Sequence, residues 1–168
     1  MTVHRAFISI GSNLGDPLRN CRHGIDDLCI DGEVRLVARS LFYRTQPVDY
    51  LDQDWFVNAA MLVETALSPF ELLSKTQCIQ TRMGRKSDAV RFGPRVLDLD
   101  IIFYEDAVIN TPHLVVPHPR MHKRRFVLHP ICDIDPSVVH PVLGQTVREI
   151  LEQLPSDDQD MIPCSSGC

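Results

Sequence analysis

The stretch Leu97-Asp98-Leu99-Asp100-Ile101 constrains this chain more than any other. Apolar and acidic side chains alternate with period two. As a strand the segment sends Leu97, Leu99 and Ile101 to one face and Asp98 and Asp100 to the other, with Ile102 beyond them. Two neighbouring carboxylates repel each other, and Asp is a poor strand former. The arrangement makes sense when a divalent cation neutralises both. Hard oxygen ligands with no His or Cys beside them favour Mg²⁺. The competing reading is a solvent-facing strand that happens to be acidic.

The remaining elements follow from periodicity and end signals. Arg5–Ile10 reads as a strand, stopped by Gly11-Ser12-Asn13-Leu14-Gly15-Asp16-Pro17. That block is neither a Walker loop nor a G-x-G-x-x-G, and reads as a tight turn. Asp16 can cap a following helix that starts at Pro17 and shows Ile25 and Leu28 on its apolar face. Strands are expected over Val34–Tyr43, Phe56–Thr65 and Leu97–Tyr104. A helix from Ser68-Pro69-Phe70-Glu71 should run to about Met83, opened by a capping box. Short helices are expected near Phe126–Cys132 and Thr146–Leu154.

The order strand, helix, strand, strand, helix, strand predicts an α+β fold: ferredoxin-like βαββαβ, with a mainly antiparallel sheet and extra C-terminal helices. Helices should cover one face and leave the other to ligands. With 168 residues the chain suits one domain, taken as 1–155, and 156–168 reads as a disordered tail. No signal peptide and no membrane-spanning run are seen, and the six scattered cysteines form no C-x-x-C pair. A cytoplasmic monomer is the expectation.

Charge points to where a ligand would sit. The net charge is −5, yet residues 82–125 hold nine Lys/Arg against five Asp/Glu. A basic segment in an acidic chain suits a phosphate-bearing ligand. Arg95 precedes the acidic strand, at the end of a loop that also holds Arg85, Lys86 and Arg91. Arginines beside paired carboxylates suit Mg²⁺-polyphosphate, or else simply pair with Asp98 and Asp100. The segment from His118 to Phe126 offers further phosphate donors or a nucleic-acid patch.

Taken together, these segments resemble the hydroxymethyldihydropterin pyrophosphokinases from about Ala6 to Leu154. The matching blocks run from Ile10 to Asp16, Phe42 to Thr45, Phe56 to Ala60, Phe92 to Asp100, Val116 to Met121 and Arg124 to Leu128. The resemblance implies a ferredoxin-like fold and diphosphate transfer from ATP to the hydroxymethyl group of 6-hydroxymethyl-7,8-dihydropterin, in folate biosynthesis. It implies two Mg²⁺ ions held by Asp98 and Asp100. It implies a pterin stacked between Phe56 and Phe126 beside Phe92, hydrogen-bonded by Asn58 and read by backbone near Thr45, Gln46 and Val48. Arg85 and Arg95 match the catalytic-loop arginines. Gln77, Gln80, Ile101, His118 and Arg124 match positions used for ATP.

This chain departs from the common pattern with Gln80 for Glu, Phe92 for Trp, Phe56 for Tyr, Gln46 for Pro and Pro119 for Tyr, and Asp88 stands where a basic residue is frequent. The aromatic exchanges keep stacking area. A ferredoxin-like RNA-binding module would want aromatics on the central strands and a basic chain; here the sheet motifs offer Asp98 and Asp100 instead, and the net charge is −5. A degenerate, non-catalytic relative would not be expected to retain Arg85, Arg95, Asp98, Asp100, Asn58 and Phe126.

Overall fold

Alternation along His4–Ser12 (β1) builds the centre of the sheet: Ala6, Ile8 and Ile10 are fully buried on one face, while Phe7, Ser9 and Gly11 take the other. The computed structural model describes residues 1–48, 50–84, 93–156 and 159–164. The further strands are Val34–Arg39 (β2), Tyr43–Thr45 (β3), Phe56–Thr65 (β4), Asp98–Tyr104 (β5), Ile109–Asn110 (β6), Val115–Val116 (β7) and Met161–Pro163 (β8). The helices are Pro17–Cys29 (α1), Pro69–Arg82 (α2), Arg125–Ile134 (α3) and Val147–Gln153 (α4). In the main sheet β1 lies between β5 and β4, both β2 and β3 pair with β4, and β8 lies outside β3. Every pairing described in it is antiparallel.

The end signals behave as the sequence predicts. Asp16 accepts a hydrogen bond from the Arg19 amide at 3.2 Å and starts α1. Ser68 and Glu71 form the reciprocal capping box of α2, and Thr146 and Glu149 form one for α4. Helix α1 lies close on the sheet because position 24 is glycine: a Cβ there would stand 2.7 Å from Leu97 Cδ2. Together α1, α2 and one sheet face enclose the larger core, which includes Ile8, Ile25, Leu28, Met61, Leu72 and Ile79.

Three expectations are corrected. The strand expected over Val34–Tyr43 is two strands, β2 and β3. The register slips between Leu36 and Ala38, and the Ser40 hydroxyl, rather than a backbone carbonyl, takes the Ala60 amide at 2.9 Å. Part of the segment expected to be a disordered tail is ordered: β8 pairs with β3, and the Cys164 amide donates to the Phe42 carbonyl at 2.9 Å. Residues 165–168 lie outside the described residues. Finally, the second sheet face is only half open. Phe7, Leu62, Ile102 and Phe103 are apolar there and are covered by α3 and α4 through Val127, Leu128, Ile131, Val147 and Ile150. A bulge in β5, where Phe7 pairs with Phe103 but Ile8 with Ile101, lets both Ile102 and Phe103 join this second core.

Candidate active site

Beyond that cover the same face turns polar. In β1 it shows Ser9 and Gly11, in β4 Asn58 and Phe56, and in β5 Asp100 and Asp98. The register sets Asp100 beside Ser9, and Asp98 beside Gly11, which in turn neighbours Asn58. The two carboxylates therefore project from an edge strand into one cavity of about 320 Å³. Its walls carry Thr45, Gln46, Val48, Phe56 and Asn58, together with Arg95, His118, Arg120, Arg124 and Phe126.

Local structure explains each placement. Thr45 ends β3 opposite Phe56 and accepts a hydrogen bond from Asn58 Nδ2 at 2.6 Å. That bond fixes the Asn58 amide with Oδ1 over Gly11, where a Cβ would approach it to 2.3 Å. Glycine is required there because nothing larger leaves the Asn58 amide its place. The ribbon of β6 and β7 returns the chain to the sheet edge, where the His118 amide donates to the Ile102 carbonyl at 3.0 Å. The segment then enters α3, whose first turn presents Phe126. The Arg124 guanidinium lies 5.5 Å from the Phe126 ring centre.

His118 is kept neutral. Burial, reinforced by Arg124 and Arg120, pulls its pKa down from 6.5 to about 4. Its Nδ1 accepts the Arg120 amide at 3.2 Å, so Nε2 carries the proton and is the ring's donor. Next to the site, burial and a hydrogen bond donated to Asp133 push the Tyr43 phenol upward.

The structure brings most predicted residues to this cavity: Thr45, Gln46, Val48, Phe56, Asn58, Arg95, Asp98, Asp100, His118, Arg124 and Phe126 all line it. Three ATP positions do not line it. Gln77 is exposed on α2. Gln80 is buried behind the acidic strand, where its Oε1 accepts the Leu99 amide at 3.1 Å. The Ile101 side chain belongs to the core, which leaves only its backbone for a nucleotide. Arg85 and Phe92 lie outside the described residues, as does most of the loop expected over Arg85–Pro94.

Sequence reasoning passed over Ser9, Gly11, Asn13 and Gln159, and held Arg120 only as one of the phosphate donors between His118 and Phe126. For Ser9 and Gly11 the signal was present: they alternate with Ile8 and Ile10 just as Asp98 and Asp100 alternate with Leu99. Asn13 reads in sequence as part of a tight turn, but its side chain joins three segments. Its Nδ2 donates to Gln53 Oε1 at 2.9 Å and to the Asp54 carbonyl at 3.1 Å, while its Oδ1 accepts the Arg95 amide at 2.8 Å. Gln159 carries no local signal at all, because only the pairing of β8 with β3 brings it to the cavity.

Fold and site together define a small α+β domain suited to a polyphosphate beside two carboxylates and a flat heterocycle between aromatic walls. Comparison with known proteins gives the family and the fold. Residues 7–136 match the family described as 7,8-dihydro-6-hydroxymethylpterin-pyrophosphokinase (HPPK). A 2-amino-4-hydroxy-6-hydroxymethyldihydropteridine pyrophosphokinase of Methylorubrum extorquens is 41% identical over 150 residues, covering 89% of this chain and 93% of that one. One of Bacillus subtilis is 44% identical over 129 residues, 77% of each chain. The crystal structure of Plasmodium falciparum HPPK-DHPS with pteroate superposes with a TM-score of 0.72 at 15% identity, covering 90% of this chain and 42% of that one, and shows the shared fold. The chain belongs to the 7,8-dihydro-6-hydroxymethylpterin pyrophosphokinase family.

Proposed function

We propose that the protein transfers a diphosphate from ATP to the hydroxymethyl oxygen of 6-hydroxymethyl-7,8-dihydropterin, a step of folate biosynthesis. The hydroxyl oxygen forms a bond to the β-phosphorus and loses its proton, the bond from that phosphorus to the α-phosphate oxygen breaks, and AMP leaves. The observation that carries the reading is the single cavity that joins Asp98 and Asp100 both to arginines and to Phe56, Asn58 and Phe126.

The residues divide the work by chemistry. Phe56 and Phe126 offer faces for the flat pterin. Asn58, locked by Thr45, and the backbone around Gln46 and Val48 offer directed hydrogen bonds to its edge. Arg95 and Arg124, with neutral His118 donating from Nε2, neutralise and orient the phosphates. Asp98 and Asp100 fit Mg²⁺. They share one face and one cavity, and among the described residues no third His, Cys, Asp or Glu completes an all-protein cage. This suits a cation that takes one or two carboxylates and draws its other ligands from substrate phosphates and water. Two such ions, when bound, would supply charge neutralisation of the triphosphate. Arg85 and Phe92 are assigned from family resemblance to the catalytic loop and the pterin, and Gln77, Gln80 and the Ile101 backbone to ATP.

In this reading the substrates are small molecules, with no nucleic acid among them. Arg120 and Arg124 line the same cavity as the two carboxylates. Among the described residues no helix is long and apolar enough to cross a membrane. The described cysteines are free, which suits the reducing cytoplasm. The decisive experiment incubates purified protein with ATP, Mg²⁺ and 6-hydroxymethyl-7,8-dihydropterin and separates AMP from ADP. Pterin-dependent AMP is expected. Pterin-dependent ADP would overturn the reaction type, and neither product from folded protein would overturn the reading.

A further inference from the structure

The C-terminal segment takes part in the cavity through a clasp on Gln46. The Gln46 amide donates to the Asp160 carbonyl at 3.0 Å, the Asp160 amide donates to Gln46 Oε1 at 3.3 Å, and Gln159 Nε2 donates to the Gln46 carbonyl. Strand β8 continues the contact, pairing Met161 with Thr45. All of these partners flank the one stretch, Thr45 to Val48, that forms the wall beside Asn58.

Gln159 is only 5% exposed, yet it lines the cavity. Its orientation is determined, since a carbonyl acceptor at Gln46 demands the nitrogen end of the amide. The other end, Oε1, is buried and has no hydrogen-bond partner among the described residues. A buried acceptor without a donor is costly, and an amide held in place by one end retains that cost until something supplies an N–H to the other. A 2-amino-4-oxo heterocycle carries a row of such donors along one edge.

We propose that residues 159–164 back the stretch from Thr45 to Val48 that walls the heterocycle's pocket, and that Gln159, steered by Gln46, positions and selects the pterin. The inference rests on the reading that the pterin occupies this end of the cavity. Gln159 fixes the Gln46 carbonyl from one side, and its buried Oε1 would meet the donor edge of the ligand once the side chain shifts toward the cavity it lines. The nucleotide end of the cavity owes it nothing.

The test compares wild type with Gln159→Ala and Gln46→Pro. The proline removes both the amide donor and the side-chain acceptor of the clasp while suiting extended backbone. Binding of 6-hydroxymethylpterin is followed by quenching of Trp55, and binding of a non-hydrolysable ATP analogue with Mg²⁺ by calorimetry. Each variant should bind the pterin about tenfold more weakly, hold the nucleotide within about twofold, and unfold within a few degrees of wild type. Wild-type pterin affinity in both variants would overturn the proposal while leaving the assigned reaction intact. Equal losses for both ligands, or a large fall in melting temperature with them, would reduce the segment to a structural brace and overturn it as well. If wild type itself bound no pterin, the assigned function would fail first and take the proposal with it.

Discussion

At the scale of single residues, the paired carboxylates are the clearest case of chemistry visible before structure. Asp98 and Asp100 needed only the parity of a strand to be placed together, and the register with β1 then supplies room through Ser9 and Gly11. Neither carboxylate is part of a core cluster. Asp98→Ala and Asp100→Ala should therefore each lower turnover at least about a hundredfold while leaving the fold intact. Turnover and melting temperature measured on the same samples decide it: activity near wild type in either variant would remove that residue from the metal assignment. Gln80 shows the limit of matching residue types. It stands at a position carried over to ATP, yet its side chain is engaged with the Leu99 amide, between the two carboxylates. What a side chain reaches across an edge strand depends on how α2 sits on the sheet, and no local pattern states that.

At the scale of elements, the helices and strands were legible wherever local signals and tertiary demands coincide. The caps at Asp16, Ser68 and Thr146 satisfy helix ends within a few residues, so they can be read directly. The break between β2 and β3 was not legible. Tyr43 and Thr45 continue an acceptable strand pattern, and the interruption arises from a bulge and from Ser40 bonding across to Ala60 on another strand. The three loops around the site show the same dependence on distant partners. Asn13 ties the β1–α1 turn both to Gln53 and Asp54, before β4, and to Arg95, before β5. Asn13→Ala removes three hydrogen bonds at a buried position and should cost about 2–3 kcal/mol. It should also lower kcat/KM by more than the stability loss accounts for, since Arg95 and the segment Gln53–Asp54 lose their common anchor. Urea titration and steady-state kinetics on the variant test this. An unchanged kcat/KM in a folded variant would make Asn13 a purely structural link.

Across the whole molecule, the arrangement of layers governs both stability and the site. Burial of His118 has a consequence for global stability with a definite sign. Its pKa is lowered in the folded state from 6.5 to about 4, so below pH 6.5 the unfolded chain takes up a proton that the folded chain refuses. The stabilisation is fully present above pH 6.5 and declines as the pH falls toward about 4. His140, lowered chiefly by burial, acts in the same direction. At pH 5 the loss due to His118 should be on the order of 1–2 kcal/mol. Urea midpoints at pH 7 and pH 5 should show it, with a shallower dependence in His118→Gln; the same slope in that variant would refute the attribution.

The half-covered second face has a further effect. Phe7 and Ser9 are two residues apart on one strand and point the same way, as do Leu62 and Asn58 across four. One member of each pair lies under α3 and α4, and the other opens on the cavity. Tolerance to substitution therefore changes along the length of β1 and β4 rather than from one side of the sheet to the other. Drift at one end of these strands erodes thermal survival, while drift at the other end alters which molecules the protein accepts.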